Sequence, residues 1–298
     1  MANSLQLPVI DLCSPDRTAT ARAVRRACME YGFFYLINHG VEETLFRQVF
    51  EQSRRFFSLP LEEKMKLDRK LNRGYTPLYA EKLDTSSSCK GDSKENFHIG
   101  PLEHSDLNQW PSEGVLPLWK ATMEDYYERV LNAGKKLVSL IALALNLDED
   151  FFDKAVAFNP PNGFLRLLHY PAVPGPLESP DQVIYGASAH SDYGMITLLA
   201  TDGVPGLQVA FFLDPNPDCL VECLESCCSE SSPCRFPPIR SGDYLEERFR
   251  LTYGSYVMNT TQFVQILVTL HICCWKYRML LKNKHFHPYI FIFLSLFF

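Results

Sequence analysis

The chain has 298 residues, with 29 lysines and arginines against 35 aspartates and glutamates, a net charge of −6. Hydrophobic residues make up 46% and charged residues 21%, the balance of a globular chain with a sizeable core. Mild acidity without a basic run argues against nucleic acid as a partner. No apolar run reaches the ~18 residues of a spanning helix, so no membrane insertion is expected. The first twelve residues show no secretory pattern, so the ten cysteines are expected reduced, in a cytoplasmic protein.

Leu7 to Asp11 reads as a short strand. Ser14, Pro15 and Asp16 read as a helix start, with Ala19, Ala23, Val24, Ala27 and Tyr31 at helical spacing and Gly32 as the stop. Phe33 to Ile37 is a buried-strand run. Leu45, Phe46, Val49, Phe50, Phe56 and Phe57 mark a second amphipathic helix. Asn72 to Ser93 is polar and reads as a surface loop. Trp119 to Leu147 predicts one long helix, through Met123, Tyr126, Tyr127, Val130, Leu137, Leu140, Ile141 and Ala144. Beyond Pro160 and Pro161 the pattern turns to strands over Phe164 to Tyr170, Val183 to Ala189, Met195 to Ala200 and Leu207 to Leu213.

The composition breaks near residue 255. The last 43 residues hold no acid, four lysines and arginines, and ten aromatics, against 28 aromatics in the 255 residues before. This tail reads as a sequence of different origin, such as translated intron, and is expected to be unstructured and to add no stability. The domain organisation expected is residues 1–110 as an N-terminal α/β region, 111–158 as supporting helices, 159–255 as a β-rich domain and 256–298 as the tail.

His190 and Asp192 stand at i and i+2 between two predicted strands. Residues so spaced in extended chain point the same way. Together they make two thirds of the two-histidine, one-carboxylate triad of non-haem Fe(II) oxygenases.

Further motifs occur in one order. They are Phe33 to Gly40, Phe56 to Lys64, Arg73-Gly-Tyr75, Lys94 to Gly100, Leu165 to Pro171 and His190 to Leu199. With His190 and Asp192 they resemble the Fe(II)- and 2-oxoglutarate-dependent dioxygenases of the isopenicillin N synthase-like branch. The resemblance implies an α+β fold, a double-stranded β-helix (jelly roll) flanked by helices. It implies Fe(II) as cofactor, 2-oxoglutarate as cosubstrate, ascorbate as reductant, and oxidation of a small organic molecule. His190 and Asp192 match the metal ligands, and Tyr170 matches the tyrosine of the cosubstrate motif. Leu168 stands where that motif has asparagine. Phe97 and His98 match pocket-lining positions.

The resemblance also exposes an omission. The family has a second histidine ligand on a later strand, then Arg-x-Ser, whose guanidinium forks onto the cosubstrate carboxylate. Here the next histidine after His190 is His271, in the tail, and no Arg-x-Ser follows Asp192. Gly206 to Gln208 resembles the strand before the omission and Val209 to Pro215 the strand after it. A segment carrying two or three strands is therefore expected to have been excised at this junction. The jelly roll is expected to be incomplete and catalysis impaired. The alternative is a non-catalytic binding or regulatory isoform.

Cys219, Cys223, Cys227, Cys228 and Cys234 form one cluster. Zinc sites use two separated pairs, so these read as reduced surface thiols.

Overall fold

The computed structural model describes residues 7–81, 91–172, 186–187, 190, 192–204, 206–253 and 290–294. Strand β1 (Val9–Asp11) leads to helix α1 (Arg17–Glu30). Asp16 caps that helix by accepting the Ala19 N–H at 2.8 Å. Gly32, at φ +78°, supplies the left-handed turn into β2 (Phe33–Ile37). Helix α2 (Glu43–Phe57) buries the aromatic and aliphatic face that its sequence predicts. The short helix α3 (Leu61–Met65) and strands β3 (Gly74–Thr76) and β4 (Glu95–Ile99) follow. The long helix α4 (Trp119–Ala144) precedes α5 (Phe151–Lys154). Then come β5 (Asn162–His169), β6 (Ile196–Thr201) and β7 (Leu207–Asp214). A two-stranded ribbon of β8 (Leu220–Val221) and β9 (Ile239–Arg240), helix α6 (Ser241–Tyr253) and strand β10 (Ile290–Leu294) complete the described elements.

Eight strands form one sheet, in the order β1-β2-β10-β6-β7-β5-β4-β3. Within it only β1 and β2 pair in parallel; every other neighbouring pair is antiparallel. The sheet therefore draws strands from three of the four stretches that the sequence separates. One face carries Phe34, Leu36, Phe97, Leu165, Leu167, Leu198, Val209 and Phe211, all buried in a common core with α1, α2 and α4. The alternate positions Phe164, Arg166, Leu199, Gln208 and Phe212 are only half-buried. Helix α4 approaches closely because Gly134 and Gly163 leave room. A Cβ on Gly134 would meet Leu213 Cδ2 at 2.9 Å, and one on Gly163 would meet the Tyr127 hydroxyl at 2.6 Å. That hydroxyl donates to the Gly163 carbonyl at 2.9 Å.

Two expectations need correction. The polar stretch from Asn72 contains the buried strand β3, whose residues pair with His98, Phe97 and Asn96 of β4. Tertiary pairing overrides its weak local signal. Five residues of the tail, Ile290–Leu294, are a strand within the main sheet rather than unstructured chain. Their run of Ile, Phe and Leu has strong β preference, and two neighbouring strands satisfy its backbone. The expected strand at Val183 to Ala189 lies outside the described residues except for Gly186 and Ala187, as do His271 and the rest of the tail.

Under the helices the covered face holds one buried carboxylate. Glu95 accepts from Lys64 Nζ and His169 Nδ1, each at 2.7 Å, and from the Tyr75 hydroxyl. Burial pushes its pKa up, but the three donors outweigh this and hold it below the ordinary glutamate range. The resulting stabilisation is complete above the ordinary glutamate pKa and is lost as pH falls through the lowered one. We expect Glu95→Ala, which strands the buried Lys64 ammonium, to cost about 3–5 kcal/mol in urea unfolding at pH 7. The gap between variant and wild type should narrow as pH falls below the ordinary glutamate pKa of about 4.3.

Candidate metal and cosubstrate site

His190 and Asp192 lie just before β6, on the half-buried side of the sheet. His190 Nε2 is 3.5 Å from Asp192 Oδ1, and Thr197 of β6 donates its hydroxyl to Asp192 Oδ2 at 2.6 Å. The Thr197 bond fixes the carboxylate so that its other oxygen faces the imidazole. Two donors each about 2.0–2.2 Å from one ion can be at most about 4.4 Å apart, so this separation lets both hold the same ion. The pair fits as one side of a metal site. Among the described residues no group of three or more His, Cys, Asp or Glu is placed to hold a metal.

Burial pushes the Asp192 carboxyl up in pKa, but His190 and Thr197, with Arg166 beyond, hold it below the ordinary aspartate range. It is therefore an anion at neutral pH, as a ligand must be. Tyr170, at the end of β5, is pushed up to about 12 by burial and stays a neutral phenol. Its amide donates to the Gly206 carbonyl at 2.7 Å, tying the strand end to the start of β7. Arg166 and Asp192 both act electrostatically on it, so the expected cosubstrate tyrosine and the expected metal pair share one region.

Sequence reasoning missed a charge cluster on the same face. Arg166 donates to Glu81, and Lys94 Nζ stands 3.4 Å from Glu81 and 3.2 Å from Asp92. Asn96 donates to Glu81 Oε2 at 3.2 Å. Burial pushes Glu81 up in pKa, but Arg166 and Lys94 outweigh it and the net shift is downward. The available signal was alternation: Lys94, Asn96 and His98 occupy every second position along β4 and the residue before it, beside Arg166 of β5.

His98 follows that alternation and is buried on the site side, its pKa well below the usual range through burial and the nearby Arg166 and Arg69. Its expected companion Phe97 points the other way, into the core, with its ring 4.8 Å from Phe56 and 5.1 Å from Trp119. Leu168 also sits on the site side of β5, opposite Gln208 and Asn96. The cysteines give no metal set among the described residues, although Cys223 Sγ and Cys228 Sγ are 3.0 Å apart.

Behind the pair lies Asp214, at the end of β7, accepting the Met195 N–H at 3.1 Å. It leaves no room at Gly194, where a Cβ would fall 1.5 Å from Asp214 Oδ1. This explains the glycine two residues after Asp192.

The family described as non-haem dioxygenase in morphine synthesis N-terminal matches residues 7–113. The chain is 34% identical to kihadalactone A synthase LFS of Citrus sinensis, over 83% of this chain and 94% of that protein. It is 29% identical to the 2-oxoglutarate-Fe(II) type oxidoreductase hxnY of Emericella nidulans, over 83% of this chain and 90% of that protein. A full-length Neurospora crassa protein, solved in complex with alpha-KG, superposes with a TM-score of 0.70 at 24% identity, covering 83% of this chain and 97% of that chain. The chain belongs to the 2-oxoglutarate- and Fe(II)-dependent dioxygenases, and its fold is the jelly-roll fold of that family.

Asp214 yields a prediction with a definite sign. Burial pushes its carboxyl up to about 7, opposed by the Met195 amide and reinforced by Asp192. A raised carboxyl costs stability as pH climbs from the unfolded pKa to the folded one. Asp214→Asn, which keeps an acceptor for Met195, should melt several degrees above wild type at pH 8. At pH 4 the two should melt together, as differential scanning calorimetry would show. Each pH unit between the unfolded and folded pKa is worth ~1.4 kcal/mol, so the gain at pH 8 is on the order of 1–4 kcal/mol.

Proposed function

We propose that the chain is a dioxygenase relative that keeps half of the iron site, with turnover on 2-oxoglutarate severely impaired. The observation that carries this is the convergence of His190 Nε2 and Asp192 Oδ1, 3.5 Å apart, with no further histidine before His271 and no Arg-x-Ser after Asp192. The match to the Citrus protein supports an internal omission. It runs over 319 positions, more than the 298 residues of this chain, yet takes in only 83% of them. Many positions of that relative thus have no counterpart here. Strand Leu207–Asp214 runs unbroken across the Gln208–Val209 junction, as an in-frame omission there would allow.

Bound Fe(II) would supply oxygen activation. His190 and Asp192 would hold it from one side, and Tyr170 would approach the cosubstrate as a neutral phenol. The residues present do not supply the carboxylate clamp for 2-oxoglutarate. A small organic substrate, ascorbate as reductant and a cytoplasmic location complete the reading. A second reading, a non-catalytic binding or regulatory isoform, is favoured by the family match over residues 7–113, which lies wholly before the omission.

Reconstitution under argon with Fe(II), 2-oxoglutarate and ascorbate, followed by oxygen, tests turnover. Succinate should stay at background, because each ~1.4 kcal/mol of lost transition-state stabilisation is tenfold in rate. Sustained succinate release that disappears in His190→Ala would overturn the proposal.

Calorimetric titration with Fe(II), Mn(II) and Zn(II) tests the half-site separately. Weak binding with little discrimination among the ions is expected, lost in Asp192→Ala. Sub-micromolar Fe(II) affinity would mean that a third protein ligand is in place.

A further inference from the structure

Strands β2 and β6 are not bonded to each other among the described residues. Strand β10 lies between them, antiparallel to both. Ile290 stands opposite Leu36 on one side and Ala200 on the other, Ile292 opposite Phe34 and Leu198, and Phe293 opposite Phe33 and Thr197. Within the described sheet, the β1–β2 pair therefore joins the other strands through β10 alone.

The two strands that receive it are not built as edges. Phe33–Ile37 reads Phe-Phe-Tyr-Leu-Ile, and Ile196–Thr201 reads Ile-Thr-Leu-Leu-Ala-Thr. Neither carries a lysine, proline or other charge of the kind that guards exposed edges. Both would present unpaired N–H and C=O groups if nothing lay between them. The occupant complements them: Ile-Phe-Ile-Phe-Leu has no charge, glycine or proline and has strong β preference.

We propose that the cleft between β2 and β6 is a strand-acceptor site and that the chain's own Ile290–Leu294 segment is its occupant. This is β-augmentation within one chain, in which backbone bonds supply the affinity. Backbone pairing needs only an extended apolar segment of the right length, so a tail of unrelated composition can serve. The proposal does not depend on the metal chemistry.

Hydrogen exchange with mass-spectrometric readout on the full chain tests it. Three proteins are compared: wild type, Ile292→Pro and Asn283→Pro. Proline inside a ladder removes a donor and obstructs pairing. In Ile292→Pro, peptides spanning Phe33–Ile37 and Ile196–Thr201 should exchange about tenfold faster or more. Peptides of β4 and β5 should keep their protection, and Asn283→Pro should match wild type. A synthetic peptide of residues 287–296 added to Ile292→Pro should restore protection of β2 and β6; the same peptide with proline at 292 should not.

Unchanged exchange in Ile292→Pro, or equal losses in both proline variants, would overturn the proposal. If Ile292→Pro opens β4 and β5 as well, restoration by the peptide still supports it, and failure to restore refutes it. A wild-type dimer that persists on dilution and dissociates in Ile292→Pro would place a second copy's tail in the cleft and refute the in-chain assignment.

Discussion

Backbone pairing through β6, β7, β5 and β4 sets the position of everything else in this molecule. Antiparallel ladders fix which residues are neighbours, and the two-residue repeat fixes which face each one takes. Arg166 stands opposite His98 on one side and Ala210 on the other, so a cation and an imidazole share one face. Leu165, Leu167, Val209 and Phe211 take the other face and are buried in the common core. A one-residue slip in any of these strands would exchange its two faces; in β5 it would bury Arg166 against the helix. Gly134 of α4 and Gly163 of β5 leave the room that this close approach of helix and strands requires.

Much of this was legible in the sequence. Helices with clear periodicity and good stop signals, such as α1 with Asp16 and Gly32 at its ends, appear where the pattern puts them. The apolar strands β2, β5, β6 and β7 are equally plain. What is not legible depends on distant partners. Strand β3 is short and polar around its edges, and it is a strand because β4 pairs with it. Strand β10 lies in a stretch whose composition differs from the rest of the chain, although its own five residues form an uninterrupted run of strong strand formers. Of the candidate site, the spacing of His190 and Asp192 singles out the two residues that converge at 3.5 Å. The supporting groups carry no such signal: Thr197 reaches Asp192 only through the local turn of the chain, and Glu81 and Asp214 act through contacts with distant segments.

The charge cluster bears on whether Arg166 could take over a carboxylate clamp on this face. Glu81 and Asp92 offset Lys94 and Arg166 within one buried group. Such a cluster is stable only while every member keeps its partner. On the proposed reading, a dicarboxylate arriving without an Arg-x-Ser would have to recruit Arg166. That would leave Glu81, at 1% exposure, with Lys94 at 3.4 Å as its remaining ion-pair partner. The cost of loosening a buried ion pair, several kcal/mol, is comparable to what a single new carboxylate contact would return. Arg166 is thus committed to holding the fold. Its field still reaches Asp192 and helps keep that carboxylate ionised. On the proposed reading, the same guanidinium therefore supports Asp192 as one of the residues that would hold the metal, while its pairing with Glu81 keeps it from anchoring the cosubstrate.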